Sequence, residues 1–189
     1  TVLSGGTGSI KMIRGLARVA KHDITIIINV GDNIWLHGLY ICPDLDTVTY
    51  GLAGLLDEEK GWGIMGDTFH LLGQLEKYGL ETWFHLGDRD LATHLLRTNL
   101  LKSGLPLSQT TDDICRRLGL KVKIIPASDT DMETRIITEK GEMHLQEFWV
   151  KRRGADRVRG VRFQGVEEAK PAPGVIDALL NARTIILCP

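Results

Sequence analysis

A glycine-rich turn near the start of the chain is the feature that most constrains its fold. Residues Leu3 to Lys11 read Leu-Ser-Gly-Gly-Thr-Gly-Ser-Ile-Lys and follow a short apolar run. The residues after the turn are spaced as one helical face, with Ile10, Met12, Ile13, Leu16, Ala17 and Val19. The segment from Ile24 to Asn29 is then a continuous β-branched run, typical of a strand covered on both faces. This order predicts a βαβ unit in an α/β fold with a Rossmann-like parallel sheet.

The glycine turn is also a candidate phosphate site. Uncovered backbone N–H groups at a helix N-terminus favour an anion, so Gly5, Gly6, Thr7 and Gly8 are candidate nucleotide-binding residues. The spacing is not that of a Walker loop and only loosely matches the Rossmann fingerprint. Two interpretations stay open: a phosphate cradle, or a tight turn that lets a strand and a helix pack closely.

Composition excludes several classes of protein. The 189 residues are 43% hydrophobic with a net charge of −1, the profile of a soluble globular protein. No apolar run is long enough to cross a bilayer and no signal peptide is evident, so we expect a cytoplasmic protein without a membrane partner. Three widely separated cysteines suggest neither a disulfide framework nor a zinc site.

The near-neutral charge also argues against a nucleic-acid partner. One stretch is nevertheless locally basic, from Lys151 to Arg162. It is interpreted first as a solvated edge, and alternatively as a patch for a substrate phosphate.

Apolar spacing predicts further elements in chain order. The predicted helices are 43–56, 67–78, 88–102, 108–118 with Ser108 as its cap, and one after 170–174. The predicted strands are 122–126, 135–138, 143–150 and 183–189, with a turn at 139–142 that makes a β-hairpin region. The consecutive helices between about 66 and 118 interrupt the βα alternation, so they are predicted to be an inserted helical subdomain within a single domain.

Acidic side chains are the main candidates for chemistry. Asp32 follows the second strand, and in a parallel sheet its loop and the glycine turn should face one cleft. Asp44 and Asp46 stand at a helix entrance after Pro43, where each is either a cap or free to face the cleft. Two carboxylates beside a bound diphosphate would suit Mg²⁺.

A second polar segment, from His85 to Asp90, precedes another helix. Asp88 could cap that helix while Arg89 pairs with a phosphate, or the two could belong to a local ion-pair network. Three tryptophans, Trp35, Trp62 and Trp149, are interpreted as core residues, with stacking on a flat ligand as the alternative.

Six motifs in order resemble the 2-phospho-L-lactate transferase (CofD-like) family along the whole chain. They are Leu-Ser-Gly-Gly-Thr-Gly with Lys11, Asn-Val-Gly-Asp at 29–32, Pro-Asp-Leu-Asp-Thr-Val at 43–48, Gly-Asp-Thr-Phe at 66–69, Leu-Gly-Asp-Arg-Asp at 86–90, and Gln-Glu-Phe-Trp-Val at 146–150.

The resemblance implies a Mg²⁺-dependent transfer in the biosynthesis of the deazaflavin coenzyme F-420. A guanosine-diphosphate-activated phospholactate is attacked by the ribityl hydroxyl of 7,8-didemethyl-8-hydroxy-5-deazariboflavin, and GMP is released. Carried onto this chain, Asp46 and His85 would contact the deazaflavin acceptor. The glycine turn is assigned to nucleotide phosphates on physical grounds, with Lys11 and Arg89 as further donor-binding candidates.

Asp44 and Asp46 are the candidates for catalysis, as metal ligands or by orienting the hydroxyl, and Asp32, Asp44 and Asp46 form the candidate metal set. Family members continue past Pro189 with a Ser-Asn-Pro loop, so the chain is expected to be the N-terminal part of one CofD-like domain at 1–189. A bacterial subgroup uses a phosphoenolpyruvyl donor, and Leu91 to Thr98 does not settle which donor applies. A homodimer is left open.

Two rival classes of protein share part of this pattern. A non-catalytic sugar-nucleotide-binding regulatory protein shares the glycine turn and the fold, but it would not need the motifs at 43–46 and 86–90. A nicotinamide-dependent oxidoreductase would carry an acidic residue at the end of the second strand, where Asn29 stands.

Overall fold

The predicted alternation of strands and helices is present in the computed structural model, which describes residues 1–20 and 23–188. The described strands are β1 (Val2–Ser4), β2 (Thr25–Ile28), β3 (Ile34–Leu36), β4 (Leu39–Ile41), β5 (Lys123–Pro126), β6 (Glu133–Thr138), β7 (Gly141–His144), β8 (Val158–Gln164) and β9 (Ile186–Leu187). The described α-helices are α1 (Ile10–Val19), α2 (Pro43–Ala53), α3 (His70–Lys77), α4 (Asp88–Lys102), α5 (Leu107–Arg117) and α6 (Val175–Leu180).

A four-stranded parallel sheet in the order β5-β2-β1-β9 lies at the centre. Burial on both faces explains the β-branched run of β2. Ile26 and Ile28 point into the main hydrophobic core, while Ile27 joins a smaller cluster on the other face with Ile125 and Val175. Each fully buried isoleucine contributes on the order of 2 kcal/mol to stability. The Rossmann-like α/β prediction is confirmed.

Helix α1 covers the main core with part of the apolar face that its spacing predicted, since Met12 and Val19 of that face are exposed. Ile10, Ile13 and Ala17 are buried, three or four residues apart. Since β1 ends at Ser4 and β2 ends at Ile28, the loops that follow them emerge at the same edge of the sheet. The Asn29 N–H donates to the Ser4 carbonyl at 2.9 Å and ties these loops together.

The segment predicted as a helical insertion contains α3, α4 and α5 between the β3–β4 hairpin and β5. Helix α4 packs against β4 and α5, and α5 packs against β5. Asp90, His94 and Arg97 of α4 thereby contact α2, near the sheet edge where the loops emerge.

A three-stranded antiparallel sheet in the order β7-β6-β8 lies outside the parallel one. The predicted hairpin corresponds to β6 and β7, but the strand predicted for 143–150 is wrong beyond His144. Glu147–Lys151 forms a π-helical turn instead. The chain leaves the ladder because the Gln146 N–H bonds His144 Nδ1 and the Gln146 carboxamide bonds Asp32.

Other boundaries differ for local reasons. Residues 30–42, for which neither a strand nor a helix is predicted, contain the β3–β4 hairpin, whose turn uses His37 and Gly38 with φ of 52° and 76°. Helix α2 stops before Gly54, which is left-handed at φ 72°. Ser108 does not cap α5 with its side chain, since its N–H and its hydroxyl both donate to Asp129.

The last predicted strand is shorter than expected, as β9 contains Ile186 and Leu187, and Pro189 lies outside the described residues. Within residues 1–20 and 23–188 no helix is both long and apolar enough to pass through a bilayer.

Candidate active site at the carboxyl edge of the parallel sheet

A cavity of about 760 Å³ opens where β1 and β2 end. Its wall combines the loops after these strands, the first turns of α2 and α4, and the segment 145–153. The cleft predicted for the glycine turn and the Asp32 loop therefore exists. Thr7, Asp32, Asp44, Asp46 and His85 line it.

The glycine turn packs directly on the start of α2. A Cβ added to Gly6 would lie 2.4 Å from Asp44 Oδ1 and 3.0 Å from Asp44 Cα, and one added to Gly5 would lie 3.3 Å from Asp44 Oδ2. The Gly6 backbone also donates a hydrogen bond to Asp44. Glycine is thus required here for close approach of the turn to Asp44.

The remaining donor candidates near this turn are more exposed. Thr7 lines the cavity, whereas Gly8 and Lys11 are exposed and lie outside its lining. The phosphate-cradle interpretation stays a prediction, and it concerns the rim of the cavity formed by Thr7.

Asp32 and Asp44 form an acidic pair joined by one amide. Asn29 Nδ2 donates to Asp44 Oδ2 at 3.0 Å and to Asp32 Oδ1 at 3.4 Å, and Gln146 Nε2 donates to Asp32 Oδ2 at 3.1 Å. Burial, with the neighbouring Asp44 charge, raises the pKa of Asp32 well above its usual value. Burial raises the pKa of Asp44 as well. The pair lies in a setting that a cation would stabilise.

Asp46 lies on the next part of the wall and is held by α4. Arg97 Nη1 donates to Asp46 Oδ2 at 3.1 Å, and Arg97 Nη2 bonds Asp46 Oδ1. His94 Nδ1 is 3.6 Å from Asp46, and His94 Nε2 is 3.2 Å from Asp90. The Tyr50 hydroxyl donates to Asp90 at 2.7 Å. These five buried side chains link α2 to α4.

The charges within this network favour one another. Burial works against the charge on Arg97, but Asp46 raises its pKa overall. Burial also opposes ionisation of Asp90, but the hydrogen bond and charge of His94 lower its pKa overall. Asp46 therefore presents its carboxylate to the cavity from a fixed position.

Sequence reasoning missed Tyr50, His94 and Arg97. Their spacing held a signal, since Asp90, His94 and Arg97 stand at i, i+4 and i+7 on one face of α4. That polar face is buried, and it points at the helix that carries Asp46.

Two aspartates near Arg89 each accept hydrogen bonds from backbone N–H groups at the start of a helix. Asp67 accepts hydrogen bonds from the N–H groups of Arg89 and Asp90 at the start of α4. Asp88 accepts from the N–H of Leu71 at 3.0 Å, at the start of α3. The structure therefore assigns Asp88 to the cap of α3 and not of its own helix.

Arg89 itself is exposed, donates to the Met65 carbonyl at 3.2 Å, and is not part of the cavity lining. Its assignment to the donor stays a prediction.

An aromatic wall completes the cavity. His85 lies with its ring 6.5 Å from that of Trp62. Trp62 and Trp149 line the cavity and are 38% and 67% exposed, so the core interpretation is wrong for them. It is also wrong for Trp35, which is 47% exposed and packs on Tyr40 away from the cavity. Ring stacking on a flat ligand is available at Trp62 and Trp149.

The described residues contain no group of three or more His, Cys, Asp and Glu side chains placed to hold a metal ion. Asp32, Asp44 and Asp46, the predicted metal set, therefore do not form such a group, and a metal at this site stays a prediction.

Comparison with known proteins agrees with the resemblance seen in the sequence. A phosphoenolpyruvate transferase from Nocardia farcinica is 44% identical over 197 residues, covering 100% of this chain and 59% of its own length. A 2-phospho-L-lactate transferase from Methanopyrus kandleri is 44% identical over 190 residues, with 100% and 61% covered. The chain thus spans about three fifths of the length of these curated relatives.

Among solved structures, a UPF0052-family protein from Bacillus halodurans matches the fold with a TM-score of 0.62 at 19% identity, covering 100% of this chain and 58% of that one. A sequence profile of the family described as "2-phospho-L-lactate transferase CofD" matches residues 1–189. By this match and by its relatives, the chain belongs to the CofD family.

Proposed function

We propose that this chain is part of a transferase of coenzyme F-420 biosynthesis. The enzyme moves a 2-phospholactyl or phosphoenolpyruvyl group from a guanosine-diphosphate-activated donor to the ribityl hydroxyl of 7,8-didemethyl-8-hydroxy-5-deazariboflavin. The names of the relatives support both donors. The observation that carries the proposal is the cavity at the sheet edge, with Asp32, Asp44 and Asp46 in its wall.

The reaction exchanges one phosphorus–oxygen bond for another. The acceptor oxygen bonds the phosphorus that carries the three-carbon acid, the bond to the GMP oxygen breaks, and the hydroxyl proton leaves to a nearby base or to water. Such a transfer depends on positioning and charge neutralisation more than on covalent catalysis. The cavity offers positioning, because its carboxylates are fixed by Asn29, Gln146 and Arg97. Charge neutralisation would come from a cation held by these carboxylates.

Asp46 is assigned to the acceptor. Its two oxygens face Arg97, which fixes their direction, and the residue also lines the cavity. A fixed carboxylate accepts a hydrogen bond from the incoming hydroxyl and orients it toward phosphorus. His85 and the exposed Trp62 lie on the aromatic part of the same cavity and are assigned to the deazaflavin ring.

Mg²⁺ is assigned to Asp32 and Asp44. Both carboxylates lack an ion pair with any basic residue of the described chain, and burial raises the pKa of each, so a cation would stabilise their charged forms. Asp46 already pairs with Arg97 and is left out of the metal set. When bound, Mg²⁺ neutralises phosphate oxygens of the donor and favours attack at phosphorus.

The test is turnover by a protein that covers the full length of the relatives. With Mg²⁺, deazariboflavin and the activated donor, we expect the phosphodiester product by mass spectrometry together with an equal amount of GMP. Asp46→Ala should remove most of this activity, whereas the matched control Asp112→Ala, an exposed carboxylate on α5 outside the cavity, should keep it. Nucleotide binding by the wild type without any product would instead favour the regulatory sugar-nucleotide-binding class.

A further inference from the structure

The basic stretch from Lys151 to Arg162 divides into two groups in the structure. Most of its members bind acids of the protein. Arg159 pairs with Glu139, Arg162 with Glu142, and Arg152 with Asp156. These side chains fit the solvated-edge interpretation.

Lys151 and Arg153 differ because both line the cavity. The Lys151 ammonium is 2.8 Å from Glu81 Oε1 and 5.9 Å from the centre of the Trp83 ring, so its charge is already matched. Arg153 has no ion pair with an acid of residues 1–20 and 23–188. It is therefore the lining arginine whose charge is available to a ligand.

The backbone at Arg153 is unusual for a residue with a side chain. Its φ is 53°, in the left-handed region, and Gly154 follows at 62°. Non-glycine residues seldom adopt this conformation, which here ends the π-helical turn at Glu147–Lys151.

The surrounding loop is held in place at both sides of Arg153. The Gly154 N–H donates to the Phe148 carbonyl at 2.9 Å, and the buried Asp156 carboxylate binds Arg152 and Lys140. The structure thus keeps Arg153 at the cavity while its neighbour Arg152 is bound to the protein.

The charges of the cavity explain what such an arginine can do. Asp32, Asp44, Asp46 and Asp90 all line the wall. Asp46 and Asp90 have partners on α4, but an anionic donor entering the cavity still meets acidic groups. A guanidinium binds a carboxylate or a phosphate through two parallel hydrogen bonds.

We propose that Arg153 is a donor-binding residue that contacts the carboxylate of the transferred three-carbon phospho-acid. This inference rests on the proposed function and deepens it, because it names the residue that selects a phosphorylated acid. Phosphoenolpyruvate and 2-phospho-L-lactate share this carboxylate, whereas GMP carries a phosphate alone.

The test compares Arg153→Asn with Arg157→Asn in a protein of the relatives' full length. Asparagine tolerates the left-handed backbone, so the first variant removes the guanidinium with little change in the loop. Arg157 is exposed and lies outside the cavity lining, which makes it a matched control. Binding of phosphoenolpyruvate, 2-phospho-L-lactate and GMP is measured by calorimetry, and the KM of the activated donor by product formation.

Arg153→Asn should weaken binding of both phospho-acids and raise the donor KM by about tenfold or more, the usual effect of losing a charged hydrogen bond. GMP binding and deazariboflavin binding should stay at wild-type values in Arg153→Asn, and every value of Arg157→Asn should match the wild type. Arg153→Lys should recover part of the loss.

Unchanged phospho-acid binding and donor KM in Arg153→Asn would overturn the inference, and an equal loss of GMP binding would reassign Arg153 to the nucleotide phosphate. Failure of the proposed function would give a different result, because the wild type would then form no product from deazariboflavin. Binding of the phospho-acids is measured without the acceptor, so its dependence on Arg153 is tested separately.

Discussion

Arg97 of α4 and Asp46 of α2 form a buried ion pair that joins the two helices behind the cavity wall. Arg97 is 2% exposed and Asp46 is 6% exposed. Both oxygens of Asp46 are bound by the two terminal nitrogens of the guanidinium. The residue proposed to orient the acceptor is thus fixed from a helix that the sequence motifs did not connect with it.

Removing one partner of this pair should be costly. Arg97→Met leaves Asp46 buried beside a single partial partner, His94, and should lower the free energy of unfolding by about 3–5 kcal/mol. The double variant Asp46→Leu, Arg97→Met should recover a large part of that loss because no unpaired charge stays buried. Urea denaturation checks both. A loss below about 1 kcal/mol in the single variant would contradict the ion pair.

The glycine turn offers a prediction with an internal control. A methyl group at Gly6 would collide with Asp44 at 2.4 Å, so Gly6→Ala should destabilise the protein by about 1–3 kcal/mol. It should also displace Asp44 and weaken Mg²⁺-dependent turnover. Gly15→Ala, in the interior of α1 with nothing within 4 Å of the added carbon, should stabilise by up to about 1 kcal/mol. Equal effects of the two changes on thermal unfolding would contradict the packing role of Gly6.

Variants of Asp67 can distinguish helix capping from ligand binding next to the segment from His85 to Asp90. Asp67→Ala removes the acceptor of two N–H groups at the start of α4 and should cost about 1 kcal/mol. Asp67→Asn keeps a capping oxygen and should be nearly neutral in urea denaturation. A large loss of activity in a stable Asp67→Asn protein would show that the carboxylate acts on a ligand.

An element could be predicted from the sequence where the burial that stabilises it also leaves a pattern in its own residues. The β-branched run ending at Ile28 could be interpreted because both faces of β2 are buried, and α1 because its apolar face is. Strand β8 could not, since most of its residues are exposed and show no alternation. It is a strand because it pairs with β6, and this pairing leaves no pattern in the residues of β8 themselves.

The site was predicted in part for a similar reason. In a parallel sheet, ligands bind beyond the carboxyl ends of the strands. The acids after β2 and at the start of α2 were therefore expected to line one cavity, and they do. The roles of Arg97 and Gln146 depend on contacts 51 and 114 residues away in sequence, which no local pattern specifies. Hydrophobicity likewise placed Trp62 and Trp149 in the core, although they form the wall of an open cavity.

Asp32 provides the last prediction, because its pKa is raised by burial and by the charge of Asp44. A carboxyl whose pKa is higher in the folded state binds more protons there than when unfolded. The contribution of Asp32 to the free energy of unfolding therefore falls as pH rises from about 3.8 through the raised value. In EDTA, Asp32→Asn should therefore melt at a higher temperature than the wild type at pH 7, with the difference disappearing below pH 3.8. Mg²⁺ should raise the melting temperature of the wild type at pH 7 but not that of Asp32→Asn, because the cation stabilises the charged pair. A Mg²⁺ response of the same size in the two proteins would remove Asp32 from the metal site.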